Sequence, residues 1–184
     1  QGDDILSGNS LSVVGLYQGI YGINPLYNRF YLDPHITKEL AGTQLKYNYR
    51  NQRLMVDLAM DQYAVSNNQF KLLDKNDFGF YSSKNELLYF HGNSEIASLK
   101  ISTAANLFVE IKEWDQNEMV WTQSSKDVIS HKLIYQANGL TPNSTYNFSI
   151  NNSIVKRIKS NSKGELVISY KTNTNTAEIK LSKI

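Results

Sequence analysis

The sequence contains no cysteine. Disulfides, thiolate metal sites and cysteine nucleophiles are therefore excluded. A secreted animal module of this size would often carry a disulfide, so the absence points towards a bacterial source. Proline is scarce: Pro25, Pro34 and Pro142 are the three present. No apolar run reaches the length that crosses a bilayer, so no transmembrane segment is expected. The start, Gln1-Gly2-Asp3-Asp4, shows no signal-peptide pattern and reads as a trimmed or mature terminus. Charge of one sign is missing too. The chain has 19 basic and 17 acidic residues in 184, for a net +2. The basic residues are scattered along it, which argues against nucleic acid as a partner.

What is present is tyrosine, asparagine and alternation. Tyr occurs 12 times, against 7 Phe and 2 Trp. Leu45, Tyr47 and Tyr49 share one face of an extended segment, with Gln44, Lys46 and Asn48 on the other. Leu54, Val56 and Leu58 repeat the pattern, as do Ile179 and Leu181 near the end. A period of two means one buried face and one wet face. Turn signals interrupt these runs at short intervals: Asn67-Asn68, Asp74 to Asp77, His91 to Asn93, Asn138-Gly139, Asn151-Asn152 and Ser162 to Gly164. No long segment carries a helical apolar stripe, though Leu72 to Asp77 and Lys100 to Leu107 could hold short helical turns.

The expected class is all-β: two small antiparallel β-sandwich domains, residues 1–92 and 93–184, divided at His91-Gly92-Asn93-Ser94. In the second, Leu140-Thr141-Pro142-Asn143-Ser144-Thr145-Tyr146 has the spacing Leu-x-Pro-x-x-x-Tyr. This resembles the corner of fibronectin type III domains, of the immunoglobulin-like class, where a Tyr hydroxyl pins the crossing between two sheets. Leu140, Pro142 and Tyr146 are accordingly structural candidates. Ile154 to Lys159 and Leu166 to Tyr170 are expected to form a hairpin, and Ala177 to Leu181 to close the sheet.

Residues 13–65 carry the most informative pattern. Gly22-Ile23-Asn24-Pro25 precedes Asn28-Arg29-Phe30-Tyr31-Leu32-Asp33-Pro34, and then come strands around Tyr47 and Val56 joined through Arg50-Asn51. This resembles the β-domain that follows the (α/α)6 barrel in six-hairpin glycosidases and cellobiose-phosphorylase-like enzymes. Pro25 and Pro34 would each end a strand without wasting a ladder donor. Thr37 and Asn51 stand where the family's pattern has a second Pro and a turn Gly. The barrel that carries the family's catalytic carboxylates lies outside this chain, so the resemblance implies a neighbour of catalysis and assigns no catalytic residue.

A direct search for chemistry yields little. His35, His91 and His131 are isolated, and no metal or cofactor is expected. Asp57 and Asp61, Glu110 and Glu113, or Glu113 and Asp115 could span a glycosidase distance, but nothing else marks them. Asp74-Lys75-Asn76-Asp77 offers oxygen ligands without the Gly and closing Glu of a calcium loop.

Tyr17, Tyr21, Tyr27 and Tyr31 lie with Arg29 in a loop-rich stretch able to present a sugar platform. The alternative is that these rings pack the domain against its own second half or a partner barrel. Trp114 and Trp121 flank a turn and either stack on a sugar or pair across a hairpin. The expectation is a non-catalytic accessory module of an extracytoplasmic bacterial carbohydrate-processing system. Its partners would be a polysaccharide or oligosaccharide and a catalytic glycosidase. A stand-alone carbohydrate-binding or adhesion protein is the alternative, and a small hydrolase the third reading.

Overall fold

Asparagine turns set the frame. Arg50 and Asn51 have φ of 44° and 48°, the left-handed pair that a two-residue hairpin needs to match strand twist. They join β3 (Thr43–Tyr49) to β4 (Gln52–Leu58). Asn85, at φ 64°, turns β7 (Phe78–Ser83) into β8 (Glu86–His91). Asn151 and Asn152 turn β13 (Thr145–Ile150) into β14 (Ser153–Lys159). Gly22 is required for a different reason. Its φ is 62°, and a Cβ there would lie 1.8 Å from the Asp33 carbonyl oxygen.

The computed structural model describes residues 11–126 and 130–184. Its strands form two sheets. The seven-stranded sheet is ordered β1 (Ile23–Pro25), β2 (Phe30–Leu32), β7, β8, β9 (Ser98–Ser102), β12 (His131–Asn138), β15 (Leu166–Thr172). The nine-stranded sheet is ordered β14, β13, β16 (Thr176–Lys183), β11 (Glu118–Ser124), β10 (Leu107–Trp114), β6 (Phe70–Asp74), β5 (Tyr63–Ser66), β4, β3. Among the described residues all pairings are antiparallel except β6 with β10, which run parallel. The chain leaves the larger sheet after β6, builds β7, β8 and β9 in the smaller one, and returns as β10.

The two sheets pack as a sandwich around aromatic pairs that bridge the layers. The Trp121 ring on β11 lies 5.4 Å from Tyr135 on β12, and Tyr135 lies 6.0 Å from Phe148 on β13. Tyr89 on β8 meets Trp114 on β10 at 5.0 Å, and Phe30 on β2 meets Tyr49 on β3 at 5.8 Å. One hydrophobic cluster includes these rings, most of them fully buried, with the half-buried Trp114 packed against it. Each large side chain so buried contributes about 1.5–3 kcal/mol. The expected division between residues 92 and 93 falls in the β8–β9 turn. The strands on either side of it are hydrogen-bonded neighbours, and both sheets carry strands from each half of the sequence.

The all-β class is as expected, and several local assignments are corrected. The stretches read as short helical turns hold the strands β6 and β9; Val65, Phe70 and Leu72 are buried by sheet pairing, which overrides any local helical preference. β14 and β15 do not form a hairpin, because β14 edges the larger sheet and β15 the smaller, so residues 160–165 cross between layers. Nor does β16 close a sheet: it lies between β13 and β11. A helical segment that the alternation did not suggest occupies residues 11–20, ending in a π-helical turn at Leu16–Ile20. Its signal was hidden because, Tyr17 apart, its apolar residues do not pack on the core: Leu11, Val13 and Val14 are exposed.

Candidate functional site

Three places hold the residues with chemical potential. The first is the flank beside β3. The inward residues of β4, Leu54, Val56 and Leu58, are fully buried. Their cross-strand partners on the edge strand, Tyr47 and Leu45, are only half-buried. Three-residue strands β1 and β2 are too short to cover them completely, and the helical segment 11–20 covers part of the remainder. Tyr17 packs edge-on against Tyr21 at 5.7 Å and against Tyr47 at 6.3 Å. A groove of about 380 Å3 lies here, lined by Val13, Val14, Tyr17, Pro25 and Tyr47. Pro25 ends edge strand β1, where its missing N–H costs nothing. Pro34 is buried just after β2.

The other predicted platform residues go to different places. Tyr27 is 92% exposed, with the Arg50 guanidinium 5.2 Å from its ring. Tyr31 is half-buried and donates its hydroxyl hydrogen to Asp77 Oδ2 at 2.6 Å. Burial and this carboxylate push the Tyr31 phenol pKa well up. Arg29 is 1% exposed. It donates to Asn28 Oδ1 and to the backbone and side-chain oxygens of Asn93 at 2.9–3.1 Å, and lies over the Phe90 ring. It crosses Gly79, where a Cβ would lie 2.5 Å from Arg29 Cδ. Arg29 is thus a clamp rather than an open sugar contact. Trp121 presents no face to solvent, being fully buried. Trp114 is half-buried, stacked on His91 at 6.1 Å and tilted against Tyr89. The two tryptophans do not pair: Trp114 opposes Met119, and Trp121 opposes Ile111.

The second place is the chain Asp74–Tyr89–His91, buried at Asp74 and Tyr89 and half-buried at His91. Tyr89 donates to Asp74 Oδ2 at 2.7 Å, and its oxygen is 3.0 Å from His91 Nδ1. With Tyr89 donating to the carboxylate, His91 completes the chain by donating Nδ1–H to the phenol oxygen. Asp74 also accepts the Asn76 backbone N–H. Burial raises the Asp74 carboxyl pKa above the usual range, although Asn76 and Tyr89 favour its ionised form. Asp74 and Asp77 are therefore held by two tyrosines instead of converging on a cation. The sequence-level carboxylate pairs fare similarly. Asp57 is ion-paired with Lys71 at 3.2 Å, Glu110 with Lys112 at 2.5 Å, and Asp115 caps its own turn through the N–H groups of Asn117 and Glu118. Among the described residues no group of three or more His, Asp or Glu could hold a metal ion.

The third place was read only as turns. Antiparallel pairing gathers the turns at residues 26–29, 50–51, 67–69, 84–85 and 103–106 at one end of the sandwich. Amide side chains lock them together. Asn67 Nδ2 donates to Gln52 Oε1 at 3.1 Å and Ser82 Oγ at 2.8 Å. Asn67 Oδ1 accepts the backbone N–H groups of Gln69 and Phe70. Ser82 donates to Gln52 Oε1, and Gln52 Nε2 donates to the Ser82 carbonyl. Gln69 Nε2 reaches Asn85 Oδ1 and the carbonyls of Thr103 and Ala105. Because Ser82 belongs to the smaller sheet and Gln52 to the larger, the network ties the layers together. Outside it lie two adjoining grooves, of about 550 and 370 Å3, that share Asn67, Asn68 and Gln69. The sequence signal was the density of Asn and Gln at successive turns; what it lacked was their convergence.

At the opposite end Tyr146 ties the β12–β13 turn to the β10–β11 turn. Its hydroxyl accepts the Thr141 N–H at 3.0 Å and donates to the Gln116 carbonyl at 2.6 Å. Leu140 is buried beside it and Pro142 is exposed in the turn. No helix among the described residues is long and apolar enough to cross a membrane. Comparison of the chain with protein-family models, curated proteins and solved structures finds no match.

Proposed function

We propose that this chain is a non-catalytic β-module of an extracytoplasmic bacterial carbohydrate-processing system, and that it works by docking onto a helical glycosidase domain. The observation that carries this reading is the incomplete flank. Leu11, Val13 and Val14 are 72%, 55% and 49% exposed, beside the half-covered rings of Tyr17 and Tyr47. A contiguous apolar surface of this kind marks an interaction site. The Gly-x-x-Pro turn and paired β-strands that resemble the glycosidase-associated domain lie on the same flank, which supports a helical barrel as the partner. The Tyr146 corner supports the fibronectin-like reading of the second half. Of the carboxylates weighed for hydrolysis, Asp57 and Glu110 are held in ion pairs and Asp115 caps its own turn. A stand-alone carbohydrate-binding role is favoured by one separate feature, the exposed Tyr27 ring resting on Arg50.

Isothermal titration against a separately expressed six-hairpin glycosidase barrel tests the docking. The expected result is a complex whose affinity falls at least ~10-fold in the Val13→Asp/Val14→Asp variant, equivalent to about 1.4 kcal/mol. Absence of a complex, or hydrolysis of aryl glycosides by the chain alone, overturns the reading.

A further inference from the structure

Charges scattered along the sequence are segregated in space. The adjoining grooves at the amide-locked end are lined by Arg53, Lys71, Lys84 and Lys126, and among the described residues no Asp or Glu lines either of them. Lys71 shares its charge with Asp57. Arg53 and Lys84 are exposed and join none of the ion pairs among the described residues. Arg50 adds a further cation at the β3–β4 turn, lying against the Tyr27 ring. The opposite end has the other balance: its turns carry Asp61, Asp77, Glu95 and Asp115, with Lys75 beside Asp77.

We propose that the amide-locked end is a binding site for an acidic oligosaccharide, a chain of hydroxyl-rich rings bearing single carboxylates such as a polyuronate. This rests on the carbohydrate reading above and adds the ligand's class and a site distinct from the docking flank. Three features favour that chemistry. Cations spaced among Ser66, Asn68 and Ser83, beside the amide network, suit a ligand whose negative charges alternate with hydroxyl groups. The floor is already rigid, since the Gln52–Asn67–Ser82 and Gln69–Asn85 bonds hold the turns before any ligand arrives, which limits the ordering cost of binding. The exposed Tyr27 face offers a ring surface at the same end. A nucleic acid would call for a denser line of cations and several stacking rings along one groove, which these linings lack.

The test is titration of the full chain with a hexameric oligogalacturonate, a neutral hexaose and a single-stranded DNA of matched charge. Each is run at low and moderate salt, with the wild type and an Arg53→Gln/Lys84→Gln variant whose fold is checked by its unfolding transition. The expected result is uronate binding that weakens at least tenfold in the variant and with added salt, and that exceeds binding of both controls. Uronate binding unchanged by the double substitution, DNA bound as tightly as uronate, or no uronate binding at all would each overturn the proposal. Retained docking to the glycosidase barrel with no uronate binding removes only this site. Loss of docking with uronate binding intact removes only the assembly reading.

Discussion

The two ends of the sandwich handle polar side chains in opposite ways. At the amide-locked end, neutral groups bond one another in the interior of the turns, and the charges, Arg53 and Lys84, stay outside. At the acidic end a charge-bearing group goes inside: Asp74 is buried and is held by Tyr89. The first arrangement gives a rigid surface with unspent cations. The second gives an interior sensitive to protons. A buried amide network has no titration to lose, whereas a buried carboxyl must either stay protonated or bear the cost of desolvation.

The comparison can be broken first at Asn67. Asn67→Ala removes four hydrogen bonds at once and leaves Gln52, Ser82 and two backbone N–H groups short of partners. We expect a loss of about 3 kcal/mol, read from urea unfolding, together with faster amide exchange at residues 67–70. Gly79→Ala should cost about 2 kcal/mol by driving a methyl into Arg29, and it should release the Arg29 clamp on Asn93. An unchanged melting temperature would show that the arginine moves aside freely. At the acidic end, Tyr89→Phe leaves Asp74 without its hydroxyl donor and should cost about 1–2 kcal/mol at neutral pH. That loss should shrink in acid, where the carboxyl is protonated.

The smallest effect sharpens the contrast most. Because burial raises the Asp74 pKa, the folded chain holds a proton that the unfolded chain releases. Stability from this group is therefore greatest below the ordinary carboxylate pKa of about 4, and it falls as pH rises through the elevated folded value. Asp74→Asn should flatten that part of the stability–pH curve, as measured by denaturant unfolding between mildly acidic and neutral pH. Asn67→Ala should leave its slope unchanged.

How much of this was legible beforehand depends on distance along the chain. Alternation at Leu54–Val56–Leu58 and the Asn-rich turns announced the strands, because both signals are local. The Tyr146 corner was readable from a seven-residue spacing. Which tyrosines face water was not, because Tyr27 and Tyr31 differ only in what the β1–β2 hairpin and Asp77 place beside them. Arg29 looked available for a ligand because nothing near it in sequence reveals Gly79 or Asn93. The placing of Arg53, Lys84 and Lys126 in two adjoining grooves was invisible for the same reason, since three separate stretches of chain must be folded to one end to bring it about.

The parallel pairing of β6 with β10 carries a kinetic consequence. Three strands of the opposite layer separate the partners in the chain, so the larger sheet can be joined across its middle only after a long loop has closed around them. Loop closure of that kind is an entropic toll levied before the contacts that reward it exist. Refolding should therefore be slow relative to the local hairpins, with β3–β4 and β10–β11 forming early and the seam between β6 and β10 zipping last.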